Sequence, residues 1–106
     1  MARLDLRDYV RSIPDFPTPG ILFRDITPLL KSPDAFRHTI DLFANRYRDA
    51  RLDAVAGIES RGFLFATPLS LELGVPMVPV RKKGKLPART HSVSYDLEYG
   101  SDALEV

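Results

Sequence analysis

The sequence predicts an α/β fold built on a parallel strand–helix–strand unit. Residues 53–58 are a short, nearly all-apolar run of the kind that forms a strand buried on both faces. Residues 61–73 read as a helix closed by Gly74, and residues 75–80 form a second apolar run. Two strands joined through a helix imply a right-handed parallel crossover. Two parallel strands alone do not make a stable doubly wound sheet, so this unit is expected to be part of a larger one.

The remaining elements follow in order. Residues 3–13 predict a short helix, with Leu6, Val10 and Ile13 at i, i+4 and i+7. Pro14, Pro17, Pro19 and Gly20 then predict a stiff, extended connector. Ile21-Leu22-Phe23 is apolar but short for a strand. Ser32-Pro33 is a helix start, with Ser at the N-cap and Pro at the first helical position. Phe36, Ile40, Phe43, Ala44 and Tyr47 keep helical spacing to about residue 49, and His38, Arg37, Asp41 and Arg48 lie largely off that stripe. Pro76 and Pro79 place the second strand at a sheet edge or make it irregular. Residues 91–97 predict a further strand with Val93, Tyr95 and Leu97 on one face, and residues 101–106 a return strand.

Composition narrows the function. A 44% hydrophobic and 27% charged chain of 106 residues fits one small soluble domain. A net charge of +1 gives no reason to expect a nucleic-acid or membrane-surface binder. No window approaches the length of an apolar membrane span, and the N-terminus lacks a signal-like core. With no cysteine, disulfides, thiolate nucleophiles and Cys-ligated metals are excluded, which fits a cytoplasmic protein. His38 and His91 are isolated and read as surface residues, Met77 reads as core, and no metal-ligand cluster or Ser-His-Asp constellation is present.

Three stretches carry chemistry. Arg81-Lys82-Lys83-Gly84-Lys85 places four cations in five residues, directly after an apolar strand. Such cations repel one another unless an anion or acidic partner offsets them, and loops after strand ends are where open α/β proteins bind ligands. Gly57-Ile58-Glu59-Ser60-Arg61-Gly62 joins the first strand to its helix. That turn either binds phosphate on helix N–H groups and Arg61, or is a plain cap, with Ser60 as N-cap and Gly62 for tight packing. Asp96-Leu97-Glu98-Tyr99-Gly100 is either the polar end of a hairpin or an acid–base carboxylate beside a stacking ring.

Four segments, in order, resemble the adenine phosphoribosyltransferase family. They are Pro14-Asp15-Phe16-Pro17-Thr18-Pro19-Gly20-Ile21-Leu22-Phe23-Arg24-Asp25, Glu59-Ser60-Arg61-Gly62-Phe63-Leu64-Phe65, Arg81-Lys82-Lys83-Gly84-Lys85-Leu86-Pro87 and Tyr95-Asp96-Leu97-Glu98-Tyr99-Gly100. The resemblance implies a type I phosphoribosyltransferase fold, here incomplete, in a single partial domain. Its parts are N-terminal helices over 1–52, a strand–helix–strand core over 53–81, and a flap loop and hairpin over 82–106. The reaction implied is adenine plus phosphoribosyl pyrophosphate giving AMP and pyrophosphate in purine salvage, with magnesium carried on the substrate phosphates. A homodimer is implied for the full-length enzyme. By the same resemblance Leu22 and Arg24 offer backbone groups to adenine and Phe23 lines its pocket. Ser60 and Arg61 lie on the pyrophosphate loop, Arg81 and Lys85 hold pyrophosphate, Glu98 exchanges a proton with adenine, and Tyr99 closes the flap. Family members continue into a strand, two acids and a Thr/Gly-rich loop for the ribose phosphate. Their absence before Val106 leads to the expectation that the 106-residue chain is inactive alone. The alternatives are a noncatalytic purine- or nucleotide-sensing module on this fold, and a phosphoribosyltransferase for another base.

Overall fold

The computed structural model describes residues 4–97 and 100–106, in two units, Met1–Asn45 and Arg46–Val106. In the first, Asp5 caps a 3-10 turn over Leu6–Tyr9, its Oδ1 accepting the Arg7 N–H at 3.0 Å. The chain then turns extended at Val10 and forms strand β1, Arg11–Pro14, where the periodicity predicts continuing helix. Two local preferences oppose that helix. Val10 and Ile13 are β-branched, and the residue before a proline is pushed out of the helical region. Strand β2, Leu22–Asp25, pairs antiparallel with β1, setting Ile13 opposite Phe23 and Ser12 opposite Arg24.

The proline-rich stretch is therefore a reversal and not an extended connector. The Phe16 N–H donates to the Ile21 carbonyl at 3.1 Å, and the Gly20 N–H to Asp15 Oδ1 at 2.9 Å. Gly20 has φ +89°, a value that side-chain-bearing residues rarely adopt. Helix α1, Thr27–Lys31, comes after β2 and packs against the 3-10 turn; its five residues show too little periodicity to be read from sequence.

Helix α2, Pro33–Tyr47, starts as the sequence indicates, with the Ala35 N–H donating to Ser32 Oγ at 3.2 Å. Its buried stripe differs in register from the predicted one. Ala35, Thr39, Ile40 and Ala44 are buried, Phe36 is half-buried, and Phe43 and Tyr47 are exposed. Three of these four buried residues are small, and the rings of Phe43 and Tyr47 lie outside the buried stripe. The buried Thr39 hydroxyl is satisfied by the Ala35 carbonyl at 2.9 Å. His38 is half-buried, not a surface residue.

In the second unit, β3 (Val55–Ile58), α3 (Arg61–Leu73) and β4 (Met77–Lys82) make the expected parallel strand–helix–strand unit, but β3 is not buried on both faces: Gly57 is buried, whereas Ala56 and Ile58 are exposed. Gly74 closes α3 at φ +69°, with its N–H on the Leu71 carbonyl at 3.3 Å and the Val75 N–H on the Ser70 carbonyl at 3.0 Å. This double bond pattern is the Schellman stop, and it needs a left-handed residue at position 74. Pro68 lies inside α3, where it cannot donate to the preceding turn.

Strands β5 (Ser92–Leu97) and β6 (Gly100–Glu105) form a hairpin that extends the sheet to the order β3-β4-β6-β5. β4 is thus interior, so of the two readings its prolines suggest, a sheet edge or an irregular strand, the edge is not realised. The Pro76 and Val80 carbonyls accept from β3, which places Pro79 out of phase, facing away from β3. β6 joins β4 only at Arg81 and Lys82, so no ladder bond calls on Pro79 for an N–H. Val93 and Tyr95 stand two residues apart in the regular register of β5 and share a face as expected; on it Val93 is 69% exposed and Tyr95 half-buried.

The glycine that sets the spacing of β3 and α3 is Gly57. A Cβ there would fall 2.6 Å from the Ala66 Cβ, 3.1 Å from the Gly62 carbonyl oxygen and 3.2 Å from the Met77 methyl. At Gly62, the position the sequence suggests, a Cβ would meet nothing closer than 3.4 Å. Gly57→Ala is therefore expected to push α3 off the strand and to destabilise the fold by about 1–3 kcal/mol, the usual range for overpacking. Gly62→Ala should cost less. Urea unfolding midpoints of the two variants check the order.

Candidate functional site

The end of β3 and the end of β4 meet through one carboxylate. Glu59 comes directly after β3, and its Oε1 accepts from Arg81 Nε at 3.1 Å and from the Lys82 N–H at 2.6 Å. The parallel register brings them together, since the Glu59 N–H in turn donates to the Val80 carbonyl at 2.9 Å. Glu59 is largely covered, with 14% of its side chain exposed, against 34% for Arg81. The Lys82 N–H, and after it the Arg81 guanidinium, hold the Glu59 carboxyl below the ordinary carboxylate range, against the opposing effect of desolvation. Glu59 is therefore ionised at neutral pH.

The Arg81 guanidinium also lies over the Phe63 ring, 5.7 Å from its centroid. Phe63 belongs to the first turn of α3, as does Arg61, whose side chain is exposed. The structure thus gathers Glu59, Phe63 and Arg81 at one end of the sheet, beside the start of α3. The hydroxyl of Ser60 does not cap that helix, so the capping reading is not realised. Helix starts leave backbone N–H groups without intrahelical acceptors, and these suit an anion.

Beyond Arg81 the chain makes a tight turn. The Lys85 N–H donates to the Lys82 carbonyl at 3.2 Å, and Gly84 has φ +83°. This is a four-residue turn with glycine at its third position, where positive φ is required. The Lys83 N–H is tied to the Ala103 carbonyl of β6 at 3.2 Å, and Lys85 is exposed. The basic run is therefore a hydrogen-bonded turn that presents its cations to solvent. Glu98 and Tyr99 lie outside the described residues.

The three hairpin residues singled out from sequence all sit on β2, in the first unit. Leu22 and Arg24 are exposed, and Phe23 is half-buried against Phe16 in an edge-to-face pair with centroids 5.2 Å apart. Arg24 donates from its guanidinium to Ser12 Oγ across the hairpin. Asp25 ends the strand and organises the entry into α1. Its Oδ1 accepts from the Thr27 hydroxyl at 2.6 Å and the Thr27 N–H at 2.9 Å, and its Oδ2 pairs with the Arg11 guanidinium. These bonds, those from Thr27 first, lower the Asp25 pKa to about 2.

Glu59 is the residue that sequence reasoning left without a role. The available signal was its position: an acid at one strand end, one crossover away from a strand that ends in four cations.

The sequence matches the phosphoribosyl transferase domain family over residues 25–100. The chain therefore belongs to that family, and its mixed sheet with a parallel core is the type I phosphoribosyltransferase fold. Among known proteins it is similar to adenine phosphoribosyltransferase of Acaryochloris marina, 58% identical over 103 residues, covering 97% of this chain and 61% of that protein. Among solved structures it is similar to adenine phosphoribosyltransferase of Thermoanaerobacter pseudethanolicus, with TM-score 0.89 and 51% identity over 95% of this chain and 59% of that one. The Saccharomyces cerevisiae enzyme, solved with adenine and an imino-altritol bisphosphate, gives TM-score 0.89 and 43% identity over 95% of this chain and 60% of that one. The chain thus spans about three-fifths of the relatives it matches.

The hairpin corner has a pH signature. Asp25 titrates lower in the folded protein than its ordinary 3.8, so its contribution to stability is complete above that value. The contribution is lost as pH falls from about 4 towards 2. Asp25→Asn should therefore be less stable than the wild type at neutral pH, and the gap should shrink below pH 4. Unfolding midpoints measured across that range check it.

Proposed function

We propose that this protein is an adenine phosphoribosyltransferase, joining adenine to phosphoribosyl pyrophosphate to form AMP and release pyrophosphate in purine salvage. The observation that carries this reading is Arg81, held by Glu59 and Phe63 at the end of β4 beside the first turn of α3. The likeness to relatives that bear this name, one of them solved with adenine and another with 9-deazaadenine, supports the choice of base.

In phosphoribosyl transfer the bond from the ribose carbon to pyrophosphate weakens before the bond to the purine nitrogen is complete. The ribose becomes cation-like and negative charge builds on the departing pyrophosphate. Arg61, Arg81 and Lys85 are the cations assigned to that charge, with Ser60 beside Arg61 on the loop between β3 and α3. A cation already in place stabilises developing charge without reorganising during the step. Leu22 and Arg24 are assigned backbone contacts to adenine and Phe23 a wall of its pocket. Glu98 takes the proton that adenine gives up on forming the new bond, and Tyr99 closes over the site, which excludes water that would otherwise attack the ribose carbon.

The described donor set around Arg81 is cationic, and its one carboxylate is already engaged by Arg81 and the Lys82 N–H. It does not fit a resident metal ion. Magnesium belongs in this reading to the phosphates of the substrate, and no step is routed through it. Among the described residues no helix is long and apolar enough to cross a membrane. A cytoplasmic homodimer completes the proposal.

The test is conversion of radiolabelled adenine to AMP by the protein expressed from its complete gene. No AMP under any condition would overturn the proposal, and calorimetric binding of hypoxanthine in preference to adenine would reassign the base. Arg81→Ala and Lys85→Ala should each lower turnover on the order of 10²-fold, as loss of one fixed charge-stabilising group commonly does. An unchanged rate in either variant would remove that residue from the leaving group.

A further inference from the structure

An acid beside an anion site opposes its ligand, so Glu59 calls for a reason to be there. Its oxygen Oε1 accepts from two different donors, the Arg81 Nε–H at 3.1 Å and the Lys82 N–H at 2.6 Å. A guanidinium has one Nε–H edge and a fork of terminal N–H groups, and the fork is the part that matches phosphate oxygens in pairs. Glu59 occupies the Nε edge. The guanidinium carbon also lies over the Phe63 ring, 5.7 Å from its centroid, a second contact on the same side chain. What remains is the terminal fork, and among the described residues the only hydrogen-bond acceptor of the Arg81 side chain is Glu59.

The second bond reaches further along the chain. Lys82 is the first residue of the turn whose closing bond runs from the Lys85 N–H to the Lys82 carbonyl at 3.2 Å. The same oxygen that orients Arg81 therefore anchors the residue from which Lys85 is launched. A free arginine gives up rotamer freedom when it is immobilised by a ligand. Ordering the side chain before the ligand arrives removes part of that cost from binding.

We propose that Glu59 is a positioning residue for pyrophosphate: it holds Arg81 by its Nε edge and anchors the Lys82–Lys85 turn, so that the guanidinium fork and Lys85 are presented to the anion together. This rests on the phosphoribosyl-transfer reading above. The negative charge of Glu59 is incidental to the role and its acceptor geometry is essential, so glutamine at the same place, which keeps a carbonyl oxygen, preserves much of it.

The experiment compares Glu59→Ala, Glu59→Gln and the wild type, each expressed from the complete gene. In Glu59→Ala, KM for phosphoribosyl pyrophosphate rises about 10-fold while KM for adenine stays within about twofold, and Glu59→Gln recovers most of the loss. In an Arg81→Ala background the effect of Glu59→Ala shrinks to less than half on a logarithmic scale, because the residue acts largely through Arg81. A loss of folded protein alone would not separate the two KM values. Equal change in both KM values, no change in either, or a Glu59→Gln variant as impaired as Glu59→Ala overturns the proposal. Calorimetric binding of inorganic pyrophosphate to the same proteins separates this result from the parent reading. If the wild type makes no AMP yet binds pyrophosphate about 10-fold more tightly than Glu59→Ala, with Glu59→Gln between, the positioning role stands and the reaction assignment falls. If Glu59→Ala does not fold, a folded Glu59→Gln that binds pyrophosphate as weakly as Arg81→Ala overturns it.

Discussion

The close approach of α3 to β3 at Gly57 is the constraint on which the second unit depends. With the Ala66 Cβ only 2.6 Å from where a Cβ on residue 57 would sit, strand and helix touch through backbone and methyl group, with no layer of side chains between. That contact sets where the first turn of α3 begins. Phe63 on that turn then lies within cation–π reach of Arg81, and Glu59, one residue beyond β3, bonds to the end of β4. A thicker strand–helix interface would move the helix start away from the basic turn. The packing of the core and the geometry of the site are in this sense one problem.

Electrostatics in the second unit depends on the same arrangement. Four cations in five residues would repel one another in an unstructured loop. In the folded chain one is tied to a carboxylate and an aromatic face, and the backbone of the others is held by a closing turn and a bond to β6. Ionised Glu59 offsets part of the repulsion while leaving a positive surface. The first unit solves a different problem by similar means, since Asp25 joins β1, β2 and α1 through bonds from Arg11 and Thr27.

Much was legible in the sequence where local signals and tertiary packing agree. The strand–helix–strand unit, the Ser32 cap, the Gly74 stop and the hairpin at the chain end all appear as read. The misread elements are those in which spacing and pairing compete. Leu6, Val10 and Ile13 have helical spacing, yet β1 finds a partner in β2 across a reversal that no local pattern announces. The prolines of β4 suggest an edge or an irregular strand, but register places Pro79 where no N–H is required. Ser60 has the right identity for a cap and does not act as one. Glu59 shows no task in the sequence, because its partners lie 22 and 23 residues away.

By itself the sequence determined the chemistry: residue types, the order of the parallel unit, the density of positive charge after the second strand, and the family these motifs resemble. Those properties are carried by composition and short-range spacing, which one chain displays in full. Only the tertiary structure decided which glycine permits the close contact, how the β1–β2 hairpin closes, and which acid holds Arg81 and Lys82. Each of these depends on distances between residues far apart along the chain, and such distances exist only once the strands have paired and the helix has packed.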